Sequence, residues 1–311
     1  MTLISAFLKL IRWPNLVFIA LTQFLLVYCV IMPVFANSTV HPNVYGLNFV
    51  LICLSSVLIA AAGYIINDYF DLNIDLVNKP GKMVVDKLIK RRWTIFWHIA
   101  FSAAGVIIGF YVDYTTHIWL LGFSNSACVF LLFVYSTTFK RKFLIGNIII
   151  SVLTAWVILV ITWCEYNHLM RSHNGLNADI ILRDTFLYAG FAFVISLIRE
   201  VVKDMEDMEG DRRYGCKTMP IVWGLNATKV FVAVWIIVIT GVLVMVQLYA
   251  MRLHWWWSVA YCIALIIAPL VWIFTRLYGS YTPKDFHLLS TAVKLVMFTG
   301  ILSMIFFKIY R

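Results

Sequence analysis

The sequence predicts an all-α, polytopic membrane protein. Three observations carry that expectation: an excess of apolar residues, long apolar runs, and a one-sided distribution of Lys and Arg. Of 311 residues, 62% are hydrophobic and only 13% are charged, whereas a soluble domain carries about 25% charged residues. Apolar runs recur at about 14–35, 45–66, 94–112, 117–138, 143–163, 182–202, 229–250, 255–275 and 288–307. Each approaches or exceeds the ~20 residues a helix needs to cross the hydrocarbon. Nine spans are expected, forming one membrane domain over 1–311 without a soluble appendage. The first run is too long for a signal-peptide core and is expected to remain as a helix.

Charge placement sets the orientation. With the N-terminus inside and nine crossings, 19 Lys and Arg fall on the inner side and 5 on the outer, while Lys294 lies within the last span. The positive-inside bias then makes 67–93 and 203–228 cytoplasmic, and a plasma-membrane location is expected. Topology accounts for the net charge of +10, so no nucleic-acid partner is expected; membrane lipids surround the chain. Six scattered cysteines form no CxxC pair and read as small buried hydrophobes rather than a metal or disulfide framework.

Nine of the 15 acidic residues fall in two short segments. The first runs from Asn67 to Asp75 and places Asp68, Asp71 and Asp75 at i, i+3, i+7. The second places Glu200, Asp204, Asp207 and Asp211 at i, i+4, i+7, i+11. Both spacings put the carboxylates on one helical face. Like charges stacked in this way repel unless a cation intervenes, and Mg²⁺ is held by one or two carboxylates together with substrate phosphates. Gly210 is expected to mark where the second helix frays. Each segment ends an apolar span on the inner side, which hints at an internal repeat.

Basic residues surround the two series: Lys79 and Lys82 after the first, Arg199 and Lys203 within the second, Lys140, Arg141 and Lys142 after Tyr135, and Arg212, Arg213 and Lys217 further on. Metal and basic groups together suit a diphosphate, since both stabilise charge on a departing phosphate oxygen. The competing account is a solvated helix end with acids on its wet face. Two such series on one membrane side argue against it, because ionisable groups bordering membrane spans are costly and mark function.

The Asn67–Asp75 segment resembles the NDxxDxxxD signature of the UbiA-type intramembrane prenyltransferases, and Asp204, Asp207 and Asp211 resemble their second aspartate motif. Arg12-Trp13-Pro14-Asn15 is similar to the family's RxPN element. Tyr135–Lys140 followed by Gly146-Asn147 resembles its YSxxLK and GN segment. The stretch Asp207–Gly224, with Lys217-Thr218-Met219-Pro220, is similar to its EGD and KTLP elements. The resemblance covers residues 9–224.

It implies a helical bundle of nine spans around a cytoplasm-facing cavity, with a prenyl chain in an apolar groove. It also implies Mg²⁺ joining the two motifs to a prenyl diphosphate donor, whose prenyl group passes to a lipophilic acceptor. On that basis Asp68, Asp71, Asp75, Asp204, Asp207 and Asp211 are expected to be catalytic, with Asp68, Asp71, Asp204 and Asp207 as metal ligands. Arg12, Asn15, Asn67, Lys79, Lys82, Tyr135, Lys140, Arg199, Glu200 and Lys203 are expected to bind donor and acceptor. Family members often carry Arg-Pro and then Ser-Gly after the first motif; here Lys79-Pro80-Gly81-Lys82 stands there, with Lys82 as the basic group.

The second motif looks most like geranylgeranylglycerol-phosphate geranylgeranyltransferases. That branch implies a geranylgeranyl donor and geranylgeranylglyceryl phosphate as acceptor, with Glu200 available to take a proton. An aromatic quinone precursor or a chlorophyllide-like acceptor is the alternative within the family. A cation-coupled transporter is the non-enzyme alternative; it would place acids at mid-depth, whereas these lie at one membrane face.

Overall fold

In the computed structural model, residues 3–36, 41–78, 85, 89–117, 120–171 and 175–311 are described. A short helix α1 (Leu3–Leu10) precedes the first span α2 (Trp13–Phe35). The remaining long helices are α3 (Gly46–Phe70), α5 (Arg91–Thr116), α6 (Leu121–Thr137), α7 (Ile145–Arg171), α8 (Gly175–Glu206), α11 (Leu225–Arg252), α12 (Trp256–Tyr278) and α13 (Pro283–Tyr310). Three short helices lie between them: α4 (Leu72–Asn78), α9 (Met208–Arg213) and α10 (Met219–Val222).

Eight of the helices are long and apolar enough to cross a membrane. The expected count of nine is not confirmed, because α6 has 17 residues, at the short limit for a span. Its start is fixed by Asp113 at the end of α5, whose carboxylate accepts the backbone N–H groups of Leu121 (3.0 Å) and Gly122 (2.8 Å). Such a contact satisfies N–H groups that a helix start leaves unpaired. The chain is a multi-pass integral membrane protein.

Packing between neighbouring helices relies on small residues, as expected where lipid removes any hydrophobic drive for association. A β-carbon on Gly105 would lie 2.7 Å from Ile59 of α3, and one on Gly109 would lie 2.5 Å from Asn125 of α6. Asn125 in turn donates to Ser55 (3.2 Å) and to the Gly105 carbonyl (3.1 Å), tying α3, α5 and α6 together. The helices α8, α11, α12 and α13 share a second core around Val201, Ile236, Leu270 and Val293. Large apolar side chains such as Val234, Ile237 and Met245 of α11 are exposed on the outside, as a lipid-facing surface requires.

Two spans contain a wide π-turn, Leu26–Ile31 in α2 and Ile263–Ile267 in α12. Each is followed by a proline, Pro33 or Pro269. Proline supplies no N–H and crowds the carbonyl four residues back, and a local widening of the helix absorbs both effects.

The bundle has two distinct ends. At one end Glu165 of α7, fully buried, accepts the backbone N–H groups of Asn43 (3.1 Å) and Val44 (2.8 Å) and anchors the segment leading into α3. Trp255 stacks on Tyr310 at this end, with ring centroids 5.1 Å apart. At the other end α1 packs Ala6 and Leu10 against Ile65, Leu72, Val85 and Ile89. That second end carries both acidic motifs.

Candidate active site

A cavity of about 830 Å³ opens among the helices at the motif end and runs into the bundle. Its mouth is lined by Asp68, Asp71 and Asp75 on one side and by Asp204, Asp207 and Asp211 on the other. Asn67, Arg12, Asn15, Tyr135, Lys140, Arg199, Glu200 and Lys203 complete the polar wall. Deeper, the lining turns apolar, with Phe18, Ile59, Leu132, Leu153, Phe191 and Met297. Every site residue expected from the sequence and described by the structure therefore borders one cavity. Lys79 and Lys82 lie outside the described residues.

Local backbone features set these side chains. Helix α3 ends at Phe70, yet the chain keeps its helical sense: Asp71 N–H donates to the Asn67 carbonyl (3.0 Å) and Asp75 N–H to the Asp71 carbonyl (2.9 Å). The three carboxylates thus stay on one face across the junction with α4. Asn67 both donates and accepts within this group. Its amide donates to Asp71 (2.8 Å) and its oxygen accepts from Lys140 (3.3 Å).

The second series needs a correction at Gly210. The long helix ends at Glu206, Asp207 stands at the break, and Gly210 lies within α9 rather than at a frayed end. Its lack of a side chain serves a close approach: a β-carbon there would lie 2.4 Å from Asn78 Oδ1. Asn78 Nδ2 donates to the Asp207 carbonyl (3.0 Å), and Gly210 N–H donates to Asn78 Oδ1 (2.9 Å). One amide side chain on α4 thereby clamps the second motif to the first. Sequence reasoning missed Asn78, although it stands three residues after Asp75 and continues the i, i+3, i+7 face.

Basic groups are held by equally local devices. Arg12 sits in the turn between α1 and α2 with φ of 51°, a region sparsely used by residues other than glycine. Pro14 in the first turn of α2 fixes the helix start beyond it. Arg12 Nη2 donates to Asp68 at 2.6 Å, and its guanidinium lies over the Tyr64 ring at 5.1 Å. Lys140 lies in the turn Phe139–Arg141 and pairs with Asp71. That turn rests on Gly146, where a β-carbon would lie 2.9 Å from the Phe139 carbonyl. Burial works against the charge of Arg12 and of Lys140. The carboxylates of Asp68 and Asp71 outweigh it, and both basic groups titrate above their ordinary values.

Across the cavity, Asn147 donates to Asp204 (2.8 Å), and Glu200 is gripped by Arg199 (2.8 Å) and Lys203 (3.7 Å). Lys294, the charge within the last span, also lines the cavity and donates to Asn15 at 2.9 Å. The sequence signalled it as an ionisable group within a membrane span, without a role.

Among the described residues, no three acidic, His or Cys side chains converge on a point that would hold a metal by themselves. Mg²⁺ does not require such a cage, since it keeps several waters and substrate phosphates among its ligands. Hard oxygen donors from two facing series, bordered by Lys and Arg, fit that ion and a diphosphate together.

Comparison with known proteins agrees with this architecture. Residues 15–302 match the model of the UbiA prenyltransferase family. The digeranylgeranylglyceryl phosphate synthase of Methanosphaera stadtmanae is 25% identical over 263 residues, covering 84% of this chain and 88% of that protein. The enzyme of the same name from Methanobrevibacter smithii is 29% identical over 231 residues, covering 72% of this chain and 74% of its own. A solved structure of digeranylgeranylglyceryl phosphate synthase superposes with a TM-score of 0.61 at 21% identity, over 98% of this chain and 99% of that one. A UbiA homologue from Archaeoglobus fulgidus, bound to DMAPP and Mg²⁺, superposes with a TM-score of 0.56 at 19% identity, over 96% and 98%. The family match extends from the first turn of α2 to the end of the long segment of α13, taking in both carboxylate series, and the chain belongs to the UbiA prenyltransferase family.

Proposed function

We propose that the protein transfers a geranylgeranyl group from geranylgeranyl diphosphate to the free hydroxyl of geranylgeranylglyceryl phosphate, with Mg²⁺ as cofactor. The carrying observation is the cavity itself, about 830 Å³, with six aspartates in two series at its mouth and an apolar interior. The relatives named digeranylgeranylglyceryl phosphate synthase support the choice of acceptor, and the Archaeoglobus homologue's ligands support the choice of cofactor.

In this reading Asp68, Asp71, Asp204 and Asp207 hold Mg²⁺, and Asp75 and Asp211 extend the same two faces. The ion's contribution is to neutralise the charge that builds on the departing diphosphate. Arg12 and Lys140, paired with Asp68 and Asp71 in the structure, turn from those carboxylates to the diphosphate oxygens when donor arrives. Lys79 and Lys82 belong to the same donor-binding set. Tyr135, on the cavity wall, belongs to the same substrate-binding set, and Asn67 keeps Asp71 and Lys140 in register.

The allylic carbon–oxygen bond breaks and its electron pair leaves on the diphosphate. The acceptor oxygen bonds to that carbon and loses its proton to Glu200. A carboxylate gripped by two cations is a weak base, but an oxygen already bonded to the prenyl carbon is strongly acidic, so position matters more than basicity. The apolar interior shields the allylic cation from water.

Charge supports the proposed orientation. The 19-to-5 division of Lys and Arg supports a cytoplasmic motif end in the plasma membrane. Residues 1–311 act as one membrane domain, and its partners are the two lipid substrates and the surrounding bilayer rather than nucleic acid.

An acceptor screen tests the proposal. Purified protein with Mg²⁺ and radiolabelled geranylgeranyl diphosphate is expected to prenylate geranylgeranylglyceryl phosphate and to leave 4-hydroxybenzoate, homogentisate and naphthoates unmodified. Prenylation of an aromatic acceptor, with none of the glyceryl phosphate, would overturn the acceptor assignment.

A further inference from the structure

We infer that Lys294 and Arg199, with Asn15 and Tyr64, form an anion subsite separate from the carboxylate series, and that it takes the phosphate group of the acceptor. The inference rests on the reading of the acceptor as a phosphate-bearing lipid. These four residues come from four different spans, α13, α8, α2 and α3, and all of them line the cavity.

The charge distribution motivates it. Lys294 Nζ donates to Asn15 Oδ1 at 2.9 Å, and Arg199, which lines the same cavity, has the same sign. Among the described residues no carboxylate pairs with Lys294. Arg199 spends Nη1 on Glu200 (2.8 Å), while its Nε is buried and has no partner. Glu200 is shared with Lys203 as well. Arg12 and Lys140 differ, since each already has an aspartate. An ammonium with no carboxylate partner, lining a cavity with a guanidinium inside membrane spans, is costly unless an anion joins them.

The diphosphate is a poor occupant. Its counter-charges belong with the two aspartate series, and Arg199 lies more than a turn, roughly 7 Å of helix rise, further into α8 than Asp204, the nearest aspartate of that series. The helix carrying Lys294 contributes no aspartate to either series. A phosphate monoester suits the corner: it presents several acceptor oxygens to Lys294 Nζ and to the Arg199 guanidinium, and both bonds are charge-assisted. Asn15, already aligned by Lys294 and faced by the Tyr64 hydroxyl, holds the ammonium in place. In a glyceryl phosphate the reacting hydroxyl sits on the carbon next to the phosphate-bearing one. Anchoring the phosphate therefore brings that hydroxyl beside Glu200, the neighbour of Arg199 in sequence.

The test compares acceptor and donor kinetics in the full-length enzyme. Lys294→Met is expected to raise the KM for geranylgeranylglyceryl phosphate roughly tenfold or more, the loss of one charge-assisted contact. The KM for geranylgeranyl diphosphate should stay within about twofold, because that ligand's contacts lie elsewhere. The preference for the phosphorylated acceptor over its dephosphorylated counterpart should shrink with it, and Lys294→Arg should keep most of that preference. A purely structural role would move both KM values together.

An acceptor KM indifferent to Lys294→Met, or a donor KM that rises in parallel, overturns the subsite and leaves the proposed activity standing. A wild-type enzyme that prenylates only aromatic acceptors removes both. If Lys294→Met does not yield extractable protein, wild-type inhibition decides. Glycerol 1-phosphate competing with the acceptor and not with the donor supports the subsite; competition with the donor overturns it.

Discussion

The clamp between the two motifs permits a quantitative test. Asn78 makes two hydrogen bonds to the second motif, one to the Asp207 carbonyl at 3.0 Å and one from Gly210 N–H at 2.9 Å. A net contribution of about 1 kcal/mol for each bond gives about 2 kcal/mol of coupling between α4 and α9. A β-carbon at position 210 would lie 2.4–2.6 Å from three atoms of the Asn78 side chain, so Gly210→Ala must expel that side chain. Alanine also favours a helix over glycine by about 1 kcal/mol, so the net loss of stability should be only about 1 kcal/mol. The loss in activity should be larger. If both carboxylate series must be in register at the transition state, about 2 kcal/mol corresponds to roughly a 30-fold fall in kcat/KM. Asn78→Ala should fall by a similar factor. The double variant should be no worse than Asn78→Ala alone, because the two changes remove one interaction. The assay is kcat/KM for geranylgeranyl diphosphate across a Mg²⁺ titration. Additive losses, or wild-type activity in Gly210→Ala, would refute the clamp.

Three further outcomes are expected. Gly146→Ala crowds the Phe139 carbonyl and the Lys140 Cα, at 2.9 and 3.0 Å. It should raise the donor KM roughly tenfold by shifting the lysine turn, and an unchanged donor KM would separate that turn from donor binding. Glu165→Ala strips two buried N–H groups of their acceptor at the opposite end. It should cost about 3 kcal/mol in thermal unfolding while the folded fraction keeps its KM values; a shift in KM would show that the two ends are coupled. In a cysteine-free background, single cysteines replacing Arg213 and Tyr45 should label with an impermeant reagent from inside and outside respectively, and the reverse pattern would invert the topology.

The legible parts of this protein were those written in periodicity and charge. Long apolar runs gave the spans because a helix in lipid must satisfy its own backbone. The aspartate spacings gave the site because one-face carboxylates have few uses at the edge of a membrane. The start of α6 was harder: residues 117–120 are apolar enough to extend the run, and only the Asp113 contacts set the true start. Gly210 was misread as a frayed end because glycine breaks helices in general, whereas here it makes room for Asn78. Asn78 itself carries no charge and was overshadowed by the aspartates it continues. The pairing of Arg12 with Asp68 and of Lys140 with Asp71 joins residues 56 and 69 positions apart, and no local pattern reports a contact made by the folding of four helices. Lys294 was visible as a charge within a span, but its hydrogen bond to Asn15, 279 positions away, was not.

The central claim is that the two aspartate series act together, through Mg²⁺, on a prenyl diphosphate. The most direct measurement is release of diphosphate from geranylgeranyl diphosphate by purified wild-type, Asp68→Asn and Asp207→Asn proteins, with and without Mg²⁺. Each substitution removes a carboxylate charge and keeps the side-chain shape, so the protein should remain folded and extractable. The expected result is Mg²⁺-dependent release by the wild type and none by either variant, even at saturating Mg²⁺. Near-wild-type release by both variants, or release that needs no divalent ion, would contradict the two-series account.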